Sequence, residues 1–388
     1  EMALTEGRFG NCHDVGAGKT LATIIATMAG KQRGLWRKPM FVVPGKVIEK
    51  WAREITDLFP DAKVLNLRLS GRSTDREIAL AQMYDWDVIL VPTHAFSRME
   101  MSPAVEGEMI EERLRDFRAM VEDYVLESKA SGGAGIAKRE KKRIERMMAK
   151  LEARLKKIRD RETRGGDRVY FDQLGVDMLA YDEAHFFKNA LASPKAQALG
   201  IAANKPSQRA EDALMKADVV RRLRGDNRGV MVLTATPVVN SPIEVFHMIR
   251  LVAPDLLAHY GISNLDDFIE VFVRTGMREV RRMTGKYVSK LVVTGYDNLP
   301  ELRRLIGEVM DVKSYEQLRQ FYLDFPEIGP NGKPVQPFKR PDAVREMDTA
   351  EPSRLHDLYF EDLRHRAESI MECYRDPDCE PREMKDNF

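Results

Sequence analysis

The sequence predicts an α/β fold: a mostly parallel sheet with an inserted antiparallel helical hairpin and a mainly helical C-terminal extension. Three observations lead there. Short runs such as "MFVVP" (40–44), "WDVILVP" (86–92), "GVDMLAYDEAH" from 175 and "RGVMVLTATP" from 228 are nearly all apolar, as strands are when helices cover both faces of a sheet. Segments with apolar residues near a 3.6-residue period alternate with them. The longest gap between two such strands, about 80 residues, is mostly charged and carries two narrow apolar seams.

Taken in order, the first segment is a poor strand, since Gly10, Asn11, Cys12 and His13 offer little to pack. "GAGKT" (16–20) comes next, and "LATIIATM" (21–28) continues as a helix capped by Gly30. After strand 40–44, "VIEKWAREITDLF" is a helix, "AKVLNL" a strand and "DREIALAQM" a helix. In the charged insert Ile110, Leu114, Phe117, Val121 and Tyr124 step by four and three, and so do Ile144, Met148, Leu151, Leu155 and Ile158 beyond "SGGAG" (131–135). Residues 106–127 hold eight acids and three bases; residues 138–161 hold twelve bases and four acids. Either the arms pair and the excess is solvated, or the basic arm's outer face meets a polyanion.

Past "TATP", "SPIEVFHMIRLVAP" is a helix ended by proline, and "NLDDFIEVFVRTG" opens on an Asn cap and ends on glycine. Residues 278–293 form a β-hairpin around "TGK", rich in Arg and Lys. "NLPELRRLIGEVM" is a helix, the Pro- and Gly-rich run after it a loop, and the last 45 residues a strand and a helix.

The bulk numbers set bounds. With 388 residues, 43% of them hydrophobic, the chain can fill two ordinary cores. No apolar run approaches the roughly 18 residues of a membrane span. Cys12, Cys373 and Cys379 are too few and scattered for a disulfide framework and fit a reducing compartment. At net charge +1, attraction to nucleic acid has to come from how charge is distributed.

Three stretches carry chemistry. Gly16, Ala17, Gly18, Lys19 and Thr20 have the tail of a phosphate-binding loop: glycine amides wrap phosphate, lysine neutralises it and the hydroxyl ligates Mg2+. His13 stands where the full pattern has glycine. In "MLAYDEAHFFKN" an apolar strand delivers Asp182 and Glu183 at its carboxyl end, where open α/β sheets place ligands. Asp182 suits Mg2+, and Glu183 suits orienting and deprotonating an attacking water. In "VLTATP" Thr234 and Thr236 end a third strand, as hydroxyls that sense a phosphate network.

Together these stretches resemble helicase superfamily two, with "GAGKT" like its motif I, "DEAH" like motif II and "TATP" like motif III. "DEAHFFKN", with Lys188 and Asn189, and "LTATPVVNSPIEVFHMIRLVAP", with Asn240, are similar to SWI/SNF-type double-stranded DNA translocases. "VVPGKVIEKWAREI" looks like their motif Ia and "ILVPTHAF" like motif Ib. "HDVGAGKT" and the charged helical insert look most like the helicase part of phage and plasmid methylase-helicase fusions, including antirestriction proteins.

The resemblance implies an ATP-dependent, DNA-dependent ATPase that moves on double-stranded DNA, with ATP and Mg2+ as cofactors. Lys19, Asp182 and Glu183 would be catalytic, Thr20 and Asp182 metal ligands, and His185, Thr234 and Thr236 coupling residues. Lys46, Trp51, Thr93, His94, Arg281, Arg282 and Lys286 are the DNA-side candidates, with Arg278 in the same basic hairpin; the alternatives are helix packing for Trp51, a satisfied loop histidine for His94 and a solvated face for the hairpin. It implies residues 1–102 and 166–255 as a first RecA-like P-loop NTPase lobe, 103–165 as the insertion, 256–338 as the extension and 339–388 as the start of a second RecA-like lobe. Such a chain is expected to be part of a longer polypeptide, with a methyltransferase among its attached domains, in the bacterial cytoplasm and phage-delivered. Alone it is expected to bind nucleotide weakly and hydrolyse it poorly, lacking the second lobe's arginines. The alternative is a nucleotide-binding but non-hydrolytic lobe that scaffolds a DNA-modifying partner.

Overall fold

A computed structural model describes residues 2–69, 74–131, 134–162, 168–188, 190, 207–237, 243–281 and 287–324. The chain divides into two units. The first holds residues 1–276 and 291–325 and contains the main sheet; of the second, residues 277–281 and 287–290 are described.

Seven strands form the main sheet: β1 (Phe9–His13), β2 (Pro39–Val43), β3 (Val64–Asn66), β4 (Val88–Pro92), β5 (Met178–Asp182), β6 (Val230–Leu233) and β9 (Met310–Lys313). They lie in the order β3-β4-β2-β5-β6-β1-β9, and every neighbouring pair is parallel. The apolar strands sort their side chains by the two-residue period. Phe41, Val43, Val88, Leu90, Met178 and Ala180 join a core with α2 (Lys19–Gln32) and α3 (Ile48–Leu58). Met40, Val42, Ile89, Val91, Leu179 and Tyr181 join the larger core on the opposite face.

That larger core takes in α4 (Thr74–Met83), the short α5 (Thr93–Phe96), α6 (Pro103–Ser131), α7 (Ala134–Glu162) and α8 (Gln208–Arg224). It continues through α9 (Ile243–Val252), α10 (Pro254–His259), α11 (Leu265–Phe272) and α12 (Leu299–Gly307). A single turn, α1 (Met2–Glu6), precedes β1, and α13 (Tyr315–Asp324) follows β9. The α/β class with its inserted helical hairpin is therefore the observed one. Ile110, Leu114, Ile144, Leu151 and Ile158 are buried along the seam between α6 and α7, and Phe117, Met148 and Leu155 pack against the same core. The "SGGAG" turn falls partly outside the described residues, and nothing is described of the Tyr124 side chain.

Four local readings are corrected. Residues 9–13 do form a strand, because β6 and β9 supply backbone partners on both sides and make up for poor side chains. β9 is the second correction: the helix read through Met310 ends at Gly307, and Met310–Lys313 pairs with β1 instead. Third, Gly30 is no cap. It lies inside α2, which runs to Gln32, and its bare Cα faces the buried Trp36 indole, whose Nε1 donates to the Thr27 carbonyl at 2.7 Å. Likewise Gly276 falls within β7 (Val273–Arg281), which pairs with β8 (Tyr287–Tyr296), so α11 ends at Phe272 and the basic hairpin begins five residues early. Its "TGK" turn, like Asn189, Asn240, Arg282, Lys286, the last two cysteines and everything from 325 onward, lies outside the described residues.

Two outcomes follow from the packing. Gly30→Ala gains helix propensity of about 1 kcal/mol, yet its methyl would run into Trp36. We expect a net loss of about 1–3 kcal/mol in chemical denaturation; a stabilised variant would contradict this packing. His247 on α9 is buried, with neither ring nitrogen hydrogen-bonded among the described residues. Burial pushes its imidazole from 6.5 down to about 4, with Glu244 opposing. The unfolded chain takes up this proton from about pH 6.5 downward and the folded chain only near pH 4, so the contribution is intact above 6.5 and lost as pH falls. Between pH 7 and 5 this amounts to about 2 kcal/mol. Urea unfolding of the wild type and His247→Leu at both pH values should show the variant without that component.

Candidate nucleotide site

β1, β6 and β5 are consecutive in the sheet, so their carboxyl ends open onto one edge. The chain reverses here: β1 is followed by β2, three positions away with β6 and β5 between them, which creates the crevice where open parallel sheets take ligands.

The loop bearing "GAGKT" leaves β1 at His13 and enters α2 at Lys19. Gly16 (φ +84°) and Gly18 (φ +73°) are left-handed, and a Cβ on either would meet nothing within 4 Å. Glycine is thus required by backbone conformation, with open space above the loop. Gly18 caps α2 without a side chain, so the first-turn amides of Lys19, Thr20 and Leu21, which lack a carbonyl one turn back, are left for an anion. Lys19 Nζ donates to the His13 and Asp14 carbonyls at 2.9 and 3.0 Å. Nothing in this loop conflicts with a polyphosphate.

His13 has a partner that the sequence gives no sign of. Its Nε2 lies 2.8 Å from Asp311 Oδ2 on β9, 298 residues away. Partial burial opposes it, but the His13 hydrogen bond and charge, with Lys313 at 3.3 Å, hold the Asp311 carboxyl below its ordinary value. The Asp14 amide also donates to the Lys313 carbonyl at 3.0 Å, so two consecutive residues at the start of the loop are fastened to β9. Burial pushes the Cys12 thiol beneath it up to about 12, which leaves it a packing group.

Asp182 ends β5. Its Oδ2 accepts from Trp51 Nε1 at 3.2 Å and its Oδ1 from the Glu183 amide at 3.0 Å. Burial first, and then the Glu183 charge, push the Asp182 carboxyl up to about 6, while Trp51, the Glu183 amide and Lys19 act the other way. Glu183 sits in left-handed backbone (φ 52°, ψ 50°), a strain of about 1–2 kcal/mol for a residue with a side chain. Its half-exposed carboxylate meets His185 Nδ1 at 3.1 Å, and the same nitrogen lies 3.4 Å from Thr234 Oγ1, which accepts from the Thr236 amide at 3.1 Å. Lys188 bonds Glu244 on α9 at 2.9 Å, a second tie between the segments after β5 and after β6.

The DNA-side candidates separate. Trp51 is 2% exposed, edge-on to Phe41 and turned to Asp182, and Thr93 is buried with no partner for its hydroxyl among the described residues. Neither side chain is free to meet DNA. Lys46 and His94 are exposed, at the ends of the neighbouring strands β2 and β4, and a Cβ at Gly45 would lie 3.1 Å from the His94 ring. Arg278 is exposed on β7; Arg281 ends that strand with its side chain outside the described set.

Among proteins of known name, the chain is 30% identical over 162 residues to "Defense against restriction protein B" of Escherichia phage P1, a match covering 41% of this chain and 7% of that one. Among solved structures, it is similar to a Sulfolobus solfataricus SWI2/SNF2 ATPase core in complex with dsDNA, at 14% identity and TM-score 0.39, over 79% of this chain and 40% of that one. The chain thus spans a small part of the curated relative and under half of the solved one. The family described as a probable helicase domain matches residues 2–314, a span that includes the "GAGKT", "DEAH" and "TATP" segments, and the chain belongs to that family.

Proposed function

We propose that the chain is the ATPase lobe of an ATP-dependent double-stranded DNA translocase, part of a larger polypeptide with a second RecA-like lobe and a methyltransferase, acting in the bacterial cytoplasm after phage delivery. The observation that carries this reading is the convergence of three segments on one sheet edge: Lys19 after β1, Asp182 and Glu183 after β5, and Thr234 after β6, joined by His185. Among the described residues no helix is long and apolar enough to cross a membrane.

The residues divide the work by charge and position. The Lys19 ammonium exchanges the two loop carbonyls for phosphate oxygens, while the α2 amides bind the same anion. Thr20 and Asp182 would hold Mg2+, which neutralises charge on the last two phosphates. Glu183, whose carboxylate is half-exposed at the end of β5, acts as the base: it orients the attacking water and accepts its proton. His185 reports that event, since one nitrogen faces both the Glu183 carboxylate and the Thr234 hydroxyl. Trp51 holds the Asp182 carboxylate from behind, which makes it a positioning residue and links the motif Ia helix to the metal ligand. Lys46 and His94 would meet DNA phosphates at the ends of β2 and β4.

Two variants separate binding from turnover. Lys19→Ala should weaken binding of a fluorescent ATP analogue by at least about tenfold, the loss of one charged contact. In the longer parent polypeptide, Glu183→Gln should keep that affinity and lower single-turnover hydrolysis with duplex DNA by roughly 100-fold or more. If Glu183→Gln and the wild type turn over equally slowly while both bind nucleotide, the scaffold reading replaces the motor.

A further inference from the structure

We propose that the outer face of α7 is a binding surface for the phosphate backbone of duplex DNA, formed by Lys142, Arg146, Lys150 and Lys157. The partner rests on the motor reading; the surface itself rests on geometry and charge. At 100° per residue these four positions fall within one stripe roughly opposite the seam of Ile144, Met148, Leu151, Leu155 and Ile158. All four side chains are exposed.

Charge pairing within the hairpin goes elsewhere. Arg154 bonds Glu106 at 2.9 Å and approaches Glu211 at 3.9 Å, Arg159 bonds Glu111 at 3.1 Å, and Lys141 reaches Glu145 at 3.9 Å. The four stripe residues make no ion pair among the described residues. Glu145 and Glu152 sit on the flank, and Asp160 bounds the stripe toward the base of the arm. Cancellation between the two arms therefore does not cover this face.

The stripe is also fixed in place. Arg113 bonds Glu211 at 2.7 Å, and Glu112 pairs with Arg222, so α6 is bolted to α8. Ile110, Leu114, Leu151 and Ile158 are part of the main core. A surface held this way loses little conformational freedom on binding. Successive basic residues four apart rise about 6 Å, and the span from Lys142 to Lys157 is about 22 Å, the length of six or seven base pairs. That suits a duplex laid along the helix better than a compact acidic ligand.

The test is anisotropy of a labelled duplex with the full chain and with K142Q/R146Q/K150Q/K157Q, across about 50 to 200 mM salt. The slope of log K against log salt should fall by about three to four, at roughly 0.9 per phosphate contact, with low-salt affinity reduced at least tenfold. The helical circular dichroism and the affinity for the ATP analogue should be unchanged. Should the fourfold variant misfold, R146Q/K150Q should lower the slope by about two. An unchanged slope in a folded variant overturns the proposal. So does loss of binding to phosphatidylserine vesicles with duplex binding intact, or a wild-type chain that does not bind duplex at all. The motor reading fails separately, if Lys19→Ala and Glu183→Gln are without effect, whatever the stripe variant does.

Discussion

The site depends on one constraint: β1 has to be held from both sides. Its residues are Phe9, Gly10, Asn11, Cys12 and His13, and few of them would keep a strand in place by packing. Parallel ladders to β6 and β9 do so, with Gly10 opposite Val232 on one side and Met310 on the other. Gly10 is small for the same reason, since a Cβ there would lie 2.7 Å from the Met310 side chain. Once β1 is held, the direction in which the "GAGKT" loop leaves the sheet is set. The His13–Asp311 and Asp14–Lys313 bonds then fix its first turn. Position 13 carries a side chain that reaches across to β9, a use that glycine could not serve.

The second strand of the site is organised around Asp182 in the same way, from behind rather than from the side. Trp51 belongs to the core by area and contacts, and its one polar atom is aimed at the carboxylate. Forward of it, Glu183 takes a left-handed backbone that turns its carboxylate away from the strand axis toward His185. The strain is sustained because the residues on either side are fixed, Asp182 by β5 and Ala184 by burial. The chain Glu183, His185, Thr234, Thr236 connects two strand ends through hydrogen bonds of one imidazole and one hydroxyl.

How much of this the sequence shows depends on distance along the chain. β2, β4, β5 and β6 are legible because each is apolar on both faces, and the hairpin because its seams repeat within one helix. Asn264 is legible as a cap, and its side chain does accept from the Asp266 and Asp267 amides. "GAGKT" and "DEAH" stand out because each is a short run of neighbouring residues at a strand end. β1 and β9 are not, since each is a strand only in the presence of a partner some 300 residues away, and Met310 by itself reads as the end of a helix. Gly30 looks like a cap until Trp36 is placed against it. Which way Trp51 and Thr93 face is not legible from a Trp-x-x-Glu helix and a strand-end Thr; both are buried, Trp51 as the packing alternative has it. Asp311 carries no local signal, and only β9 pairing brings it to His13.

The insertion would be expected to hang from the lobe by its two connections, yet α8 makes it part of the frame. From that one helix Glu211 bonds Arg113, Arg222 pairs with Glu112, and the Ala213 carbonyl accepts from Tyr181 Oη of β5 at 2.9 Å. Asp218 bonds Arg250 of α9 at 3.0 Å; against burial, Arg250 and Arg221 hold its carboxyl down to about 2. Lys216, fully buried, donates to the Phe96 carbonyl that ends α5 at 2.7 Å and to Asp212 at 2.8 Å, with its ammonium over the Phe96 ring. Burial pushes that ammonium down, and Asp212 opposes the push. Replacing such a pair with apolar groups is often tolerated in a core, whereas losing one partner is costly. A single helix therefore ties the strand bearing Asp182, the turn bearing His94, the helix bearing Glu244 and the base of the charged hairpin. A force applied along α7 reaches the sheet through ion pairs and packed side chains, and not through a loose linker.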